Sequence, residues 1–177
     1  FTTIGTSQES HFISKLLGKR RSYNLNSNKL STQFFPESLR LLPFGSKSQE
    51  TRRKAVDNSY QSLDKRVSKS LANTQSEVDF LHAYEDGAAY SFARAKELGI
   101  ACSYELPIAH WSTGRRLLAE EAERFPAWEP TLESTREPEE KLVRKEEELT
   151  LADCITCPSE FVLQSIPEEI RRKTPCQ

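Results

Sequence analysis

Two short apolar runs enclose a helix-like segment in the chain, and this arrangement constrains the fold more than any other feature. The strand-like runs cover residues 78–84 and 100–106, and "GAAYSFARAKEL" between them carries apolar residues at helical spacing. Asp86 is a candidate N-cap for this helix, and Gly99 is well suited to end it. The three elements together have the length of a βαβ unit, so we expect parallel strands joined by a right-handed crossover.

The alternation of strand and helix continues towards the end of the chain. A helix capped by Ser112 is expected to stop at Pro126, and a strongly charged helix follows Pro138. A third strand is predicted at 154–158, and Ser159 caps the helix after it. The residues expected to face the core are Leu118, Ala122 and Phe125 in the first of these helices and Leu142, Leu149 and Ala152 in the charged one.

Residues 1–77 carry fewer signals. Short strands are predicted at 1–4 and 29–33, on either side of polar, turn-rich sequence. An amphipathic helix that ends near Asn73 is predicted from apolar residues three or four positions apart, namely Val56, Tyr60, Leu63, Val67 and Leu71. The sequence therefore predicts an α/β protein with an open parallel sheet.

The composition of the chain limits which partners and which cellular compartment we expect. The 177 residues suit one domain, and 25 basic residues nearly balance 26 acidic ones, so no net field favours nucleic acid. The same charge balance gives no field that favours anionic lipid, so a membrane surface is not indicated. No apolar run could span a bilayer, and no signal peptide is visible. Four cysteines without a secretory signal predict reduced thiols and a cytoplasmic location. Since the chain starts at Phe1 and contains no methionine, we interpret it as an internal fragment.

The pair Cys154-x-x-Cys157 raises the question of metal or redox chemistry. Alternation along a strand places the two thiols on opposite faces, which disfavours a shared metal ion. Cys102 and Cys176 stand alone, and the three histidines do not cluster, so no metal is expected. Packing in a strand is the favoured interpretation of the pair, and a redox protein remains an alternative.

Candidate binding residues follow the predicted strands. Ligands of open parallel sheets bind where strands end and helices begin, so the residues at those points are candidates. They are Glu85, Asp86 and Gly87 after the first of these strands, His110 and Trp111 after the second, and Ser159 after the third. Phosphate-binding loops, nucleophile elbows and H-E-x-x-H motifs are absent from the sequence.

The segments "YEDGAAYSFARAKELGIACSYELPIAHW", "LLAEEAERFPAW" and "EEKLVRKEEELTLADCITCPSEFVLQSI" resemble the amino-terminal half of glycosyltransferase family 4. The resemblance covers residues 78–177 well and residues 1–77 loosely. It implies a two-domain GT-B fold, in which 1–177 form the acceptor-side Rossmann-like domain, incomplete at its start and with helices on both faces of the sheet. The carboxy-terminal nucleotide-sugar domain would lie outside the chain.

The same resemblance implies a retaining hexosyltransferase when the protein is full length. A nucleotide sugar would be the donor, and a saccharide, lipid or small molecule the acceptor, without a cofactor or a metal. His110 is the candidate catalytic residue, and Glu85, Asp86, Gly87, Trp111 and Ser159 are the candidate acceptor-binding residues. The family's Glu-x7-Glu motif belongs to the absent half, so we expect the fragment alone to be inactive. The alternative is a non-catalytic sugar-binding or regulatory Rossmann-like domain.

Overall fold

A computed structural model describes residues 6–7, 22–23, 49–74, 78–132 and 137–177. The strands predicted at 1–4 and 29–33 lie outside these residues. The chain divides into two compact units, Phe1–Val67 and Ser68–Gln177. In the first unit, β1 (Thr6–Ser7) pairs in parallel with β2 (Ser22–Tyr23).

Helix α1 (Gln49–Thr74) confirms the amphipathic helix predicted to end near Asn73. Leu71 is buried, as the apolar spacing predicts. Tyr60 does not follow the prediction, because it is exposed while the neighbouring Ser59 is buried. The phenol of tyrosine tolerates water, so the apolar spacing alone did not fix which face of the helix is buried at this point.

The second unit is an α/β structure built on a parallel sheet. Its strands are β3 (Phe80–Tyr84), β4 (Ala101–Glu105) and β5 (Cys154–Thr156), in the order β3-β4-β5. All pairings are parallel, as predicted. Ile155 also pairs in parallel with Cys176 on the far side of β5, so the end of the chain adds to the same sheet.

The helices of the second unit are α2 (Ala89–Glu97), α3 (Trp111–Arg124), α4 (Glu139–Leu151), α5 (Glu160–Ser165) and α6 (Glu168–Lys173), with a 3-10 helix at Pro126–Thr131. Four of them, α2 to α5, follow the predicted positions, whereas α6 and the 3-10 helix, which replaces a predicted loop, were not predicted. Gly99 follows the last turn of α2 with φ of 72°, a left-handed conformation that glycine adopts without strain. Ser159 caps α5 by accepting a hydrogen bond from the N–H of Val162.

Helices α2 and α4 pack against each other and against β4. Tyr104 of β4 and Phe92 of α2 are fully buried and meet edge to face, with ring centroids 6.3 Å apart. Leu142 and Leu149 of α4 are buried as predicted. When successive parallel strands are added in one direction, right-handed crossovers place the connecting helices on one face, which agrees with the position of α2 and α4.

Three sequence-based expectations about helix ends and faces are wrong. Asp86 does not cap α2, because the N-cap residue is Ala88. Ser112 does not cap α3, because the His110 side chain accepts the N–H of Ser112 instead. Phe125 is exposed and ends α3 rather than facing the core. Within the described residues, no helix is long and apolar enough to cross a membrane.

Candidate functional site

The chain turns sharply where β3 ends. The N–H of Gly87 donates to the carbonyl oxygen of Tyr84 at 3.3 Å, which closes a four-residue turn. Asp86 occupies the third position of this turn with φ of 75°, as the third residue of a type II turn requires. Aspartate tolerates this left-handed conformation better than most residues other than glycine. The turn therefore holds Glu85 and Asp86 at the carboxyl end of the strand.

Glu148 of α4 binds the backbone of this turn. Its two carboxylate oxygens accept the N–H of Asp86 at 2.9 Å and the N–H of Ala88 at 3.0 Å. The hydroxyl of Tyr104 donates to the same carboxylate at 3.2 Å. The first N–H groups of a helix have no hydrogen-bond partners within the helix. The residues just before α2 provide no side-chain cap, so Glu148 of α4 takes this role.

The Glu148 side chain is fully buried, and burial raises the pKa of its carboxyl group to about 7. The N–H groups of Ala88 and Asp86 stabilise the carboxylate and oppose this effect. Burial and the Glu148 carboxylate together raise the pKa of Tyr104 well above its ordinary value. The site therefore contains a carboxyl group that changes charge near neutral pH.

Two lysines of α4 form ion pairs with the acidic residues of the turn. Lys141 Nζ lies 3.0 Å from Asp86 Oδ2 and also contacts the carboxylate of Glu137. Lys145 Nζ lies 3.1 Å from Glu137 Oε2 and 3.4 Å from Glu85 Oε1. Only 6% of the Lys145 side chain and 8% of the Glu85 side chain are exposed, so this is a largely buried network.

The network sets the charges of its members. Burial opposes the ionisation of Glu137, but its contacts with Lys141 and Lys145 outweigh burial and lower its pKa. Burial likewise opposes the charge of Lys141, but Glu137 and Asp86 raise its pKa. For Glu85, burial dominates and raises the pKa despite the attraction of Lys145. The turn after β3 thus presents its carboxylates to lysines of the protein itself.

The loop after β4 places His110 beside the same helix. Its side chain is 1% exposed, and Nε2 lies 3.0 Å from Glu146 Oε1 of α4. This contact is not aligned as a hydrogen bond, and Nε2 has no other hydrogen-bond partner among the described residues. Nδ1 lies 2.8 Å from Ser112 Oγ, and the His110 N–H donates to Ser165 Oγ at 2.8 Å.

Trp111 joins this group of side chains. Its indole N–H donates to Glu146 Oε1 at 2.6 Å, and the Arg115 guanidinium lies 5.4 Å from the centre of its ring. One face of the indole is therefore paired with a cation. Glu146 lies against His110 and accepts a hydrogen bond from Trp111 at the start of α3, so α4 contacts the segments that follow both β3 and β4.

The structure places the predicted site residues in three environments. Glu85 and Asp86 lie in the lysine network, and Gly87 closes the turn beside them. His110 and Trp111 meet at Glu146. Ser159 is exposed and caps α5. Their role in binding a substrate remains a prediction.

Sequence reasoning missed seven residues of the site: Tyr104, Ser112 as a partner of His110, Glu137, Lys141, Lys145, Glu146 and Glu148. One signal was available, since Lys145 and Glu148 lie at helical spacing from Leu142 and share its inward face. Charged residues on an inward-facing stripe indicate buried partners, because an unpaired charge is costly to bury.

Burial raises the pKa of three of the four cysteine thiols, Cys102, Cys157 and Cys176. Cys154, Cys157, Cys102 and Cys176 are all unpaired by disulfides. Burial raises the pKa of Cys157 to about 11, which opposes the thiolate form that redox chemistry needs. Among the described residues, no group of three or more His, Cys, Asp or Glu side chains could hold a metal ion.

An open cavity of about 600 Å³ lies at the opposite end of the sheet, where β3 and β4 begin. It is lined by Ala72, Asn73, Val78, Asp79, Leu98, Gly99 and Ile100. Ligands of parallel sheets bind at the carboxyl ends of the strands, so this position does not favour it over the group around His110.

No protein-family model, curated protein or solved structure matches the chain. The second unit is an α/β structure with a parallel, Rossmann-like sheet and a cluster of polar side chains at the carboxyl ends of its strands.

Proposed function

We propose that the chain supplies the acceptor side of a cytoplasmic GT-B glycosyltransferase. The intact enzyme would transfer a hexose from a nucleotide sugar to a saccharide, lipid or small-molecule acceptor. One observation carries the proposal: the β3–α2 turn and the β4–α3 loop lie at one edge of a parallel sheet, and α4 contacts both. An acceptor bound at this edge would meet the partly exposed carboxylates of Asp86 and Glu146 and the indole of Trp111, which are groups suited to hydroxyl-rich molecules.

The proposal assigns different roles to the β3–α2 turn and to the β4–α3 loop at this edge of the sheet. The Glu85–Asp86 turn is held rigidly by Glu148 and Lys141, so it would shape the acceptor site rather than move with the ligand. His110 is buried, so it would act through Ser112 Oγ or Glu146 rather than by direct contact with the sugar. Helices on both faces of the sheet and a second, nucleotide-binding domain belong to the same proposal.

The test uses the parent polypeptide, expressed with its flanking coding sequence, and measures nucleotide release from a panel of nucleotide sugars. His110→Asn keeps an oxygen that can accept the N–H of Ser112 but removes the imidazole. We expect it to lower transfer about 100-fold, the scale of a lost acid–base group. His82→Asn is the matched control, since His82 Nε2 also lies 3.1 Å from a glutamate, Glu105, but within strand β3. Its transfer rate should be unchanged.

Two results would contradict the proposal. One is that the parent polypeptide releases nucleotide from none of the sugars; sugar binding without transfer would then favour the non-catalytic sugar-binding or regulatory domain. The other is that residues 1–177 alone transfer sugar as fast as the parent polypeptide. The proposal requires residues 1–177 alone to be inactive. The hydrogen-bond donors that stabilise the departing nucleotide phosphates would lie in the other domain.

A further inference from the structure

Three polar side chains lie in sequence beside the start of α3, and only the middle one, His110, is buried. Ser112 is exposed, and its Oγ lies 2.8 Å from His110 Nδ1. His110 is buried, and its Nε2 lies 3.0 Å from Glu146 Oε1. A hydroxyl, an imidazole and a carboxylate in this sequence are the parts of a serine nucleophile with its base and its orienting acid.

The hydrogen bonds of His110 indicate which of its ring nitrogens carries the proton. Nδ1 of His110 accepts the N–H of Ser112 at 3.4 Å and is also the nitrogen nearest to Ser112 Oγ. The ring proton therefore belongs on Nε2, which faces Glu146. Trp111 donates its indole N–H to the same Glu146 oxygen at 2.6 Å and so fixes the carboxylate in place. Loose alignment of such contacts is common before a substrate binds.

His110 is in the protonation state that a general base needs. Burial lowers its pKa below the ordinary value of 6.5, despite the opposing effect of Glu146, so the imidazole is neutral at pH 7. The other charged groups that act on it are Lys145 of α4, which also lowers the pKa, and Glu169 of α6, which raises it. A neutral imidazole can accept the Ser112 proton.

We infer that Ser112 is a nucleophile that hydrolyses short-chain acyl esters, with His110 as its general base and Glu146 as the carboxylate that orients the imidazole. The exposed position of Ser112 suits small, accessible esters. Ile108 is 57% exposed in the loop that leads to His110 and supplies apolar surface for an acyl chain. The inference needs only these side chains and does not rest on the proposed glycosyltransferase.

The start of α3 provides the positive potential that the reaction requires. The first hydrogen bond within the helix runs from the N–H of Gly114 to the carbonyl oxygen of His110, at 2.9 Å. The N–H of Thr113 directly follows the nucleophile and precedes that bond, so we assign it to the developing oxyanion. The helix amino end adds favourable potential for negative charge at this position.

The chemistry proceeds in two balanced steps. Ser112 Oγ attacks the ester carbonyl carbon while its proton passes to His110 Nδ1, and collapse of the tetrahedral intermediate expels the alcohol, which takes that proton. An acyl ester on Ser112 remains. Water then loses a proton to His110 Nδ1 and attacks the acyl carbon, Ser112 Oγ departs and recovers the proton, and the free acid is released. The net reaction converts one ester and one water to an acid and an alcohol.

The first experiment treats the unmodified chain with a fluorophosphonate probe and maps the labelled serines by mass spectrometry. Labelling forms a bond between Ser112 Oγ and phosphorus and releases fluoride and a proton. Ser159 is the internal control, because it is also an exposed serine at a helix start, but its hydroxyl accepts from the N–H of Val162. We expect Ser112 to react faster than Ser159 by a factor of about 100, the contribution of a general base.

The pH dependence of labelling gives a second readout. The rate at Ser112 should rise with pH through the lowered pKa of His110 and level off by pH 7. Ser112→Ala should abolish the hydrolysis of p-nitrophenyl acetate that exceeds the background of surface groups. Glu146→Gln should lower the labelling rate at Ser112 about tenfold or more, because the imidazolium loses its counter-charge.

Equal labelling of Ser112 and Ser159 in the unmodified chain would overturn the inference, and this comparison requires no variant to fold. Unchanged ester hydrolysis in a Ser112→Ala protein with wild-type circular dichroism would also overturn it. Neither result bears on sugar transfer, which is measured in the parent polypeptide by nucleotide release.

Discussion

The replacement Glu148→Gln tests whether a buried carboxyl group controls the stability of the second unit. Glu148 is fully buried and caps α2 through the N–H groups of Asp86 and Ala88. Protonated glutamate and glutamine have nearly the same shape, but glutamine carries an NH2 group with two N–H donors in place of one oxygen, so one of the hydrogen bonds to Glu148 is lost at every pH. The variant therefore removes the ionisation at this position and adds an offset in stability that does not depend on pH.

The magnitude follows from the pKa of Glu148, which burial raises from 4.5 to about 7. A carboxyl group whose pKa is raised on folding stabilises the folded state fully below its unfolded pKa. That stabilisation is lost as the pH rises through the folded pKa. The shift from 4.5 to about 7 corresponds to about 3 kcal/mol that the wild type loses over this range and the variant does not.

Urea unfolding of both proteins at pH 5 and pH 8, followed by circular dichroism, measures the difference. We expect the free energy of unfolding of Glu148→Gln, relative to that of the wild type, to rise by about 2.5 kcal/mol from pH 5 to pH 8. Comparing the two proteins at each pH removes the contributions of groups they share. Glu147→Gln, an exposed change on the same helix, should show no such pH dependence. A difference between wild type and Glu148→Gln that is the same at both pH values would refute the reasoning.

Two further predictions concern the lysine network and the cysteines. Lys145→Met should lower the free energy of unfolding by about 3 kcal/mol or more, because it leaves the largely buried carboxylate of Glu85 without its lysine. Lys96→Met, which removes a half-exposed pair with Asp153, should cost under about 1 kcal/mol; equal losses in urea unfolding would contradict this contrast. Cys157, with its pKa raised to about 11, should react with iodoacetamide at pH 8 about tenfold more slowly than in the urea-unfolded chain. Equal alkylation rates by mass spectrometry would show that the thiol is not suppressed.

Features that depend on local sequence were predicted well. The end of α2 before Gly99, the start of α4 after Pro138 and the cap at Ser159 each depend on the conformational preference of one residue and its close neighbours. The parallel pairing of β3 with β4 also followed from the sequence, because a strand, a helix and a strand of these lengths favour a crossover.

Features that depend on distant partners were not predicted. A glutamate or lysine in a charged helix has the same local signal whether it is solvated or buried. Glu148 caps a helix start 60 residues earlier in the chain, and Trp111 and Glu146 are 35 residues apart. Asp86 appeared to be a helix cap because its type favours caps, but the φ of the turn and the carboxylate of Glu148 give it another role. Such pairings follow from tertiary packing and not from any local preference.

The long-range cap on α2 has a consequence for the order in which the protein folds. The segment from β3 to β4 is local in sequence and can form early, since short loops close at little entropic cost. The amino end of α2 gains its hydrogen-bond acceptor only when α4 has docked across a separation of 60 residues. Helices α2 and α4 should therefore unfold and refold as one cooperative unit. The β3–α2–β4 crossover should complete its hydrogen bonds only after α4, in the connection from β4 to β5, has packed against it.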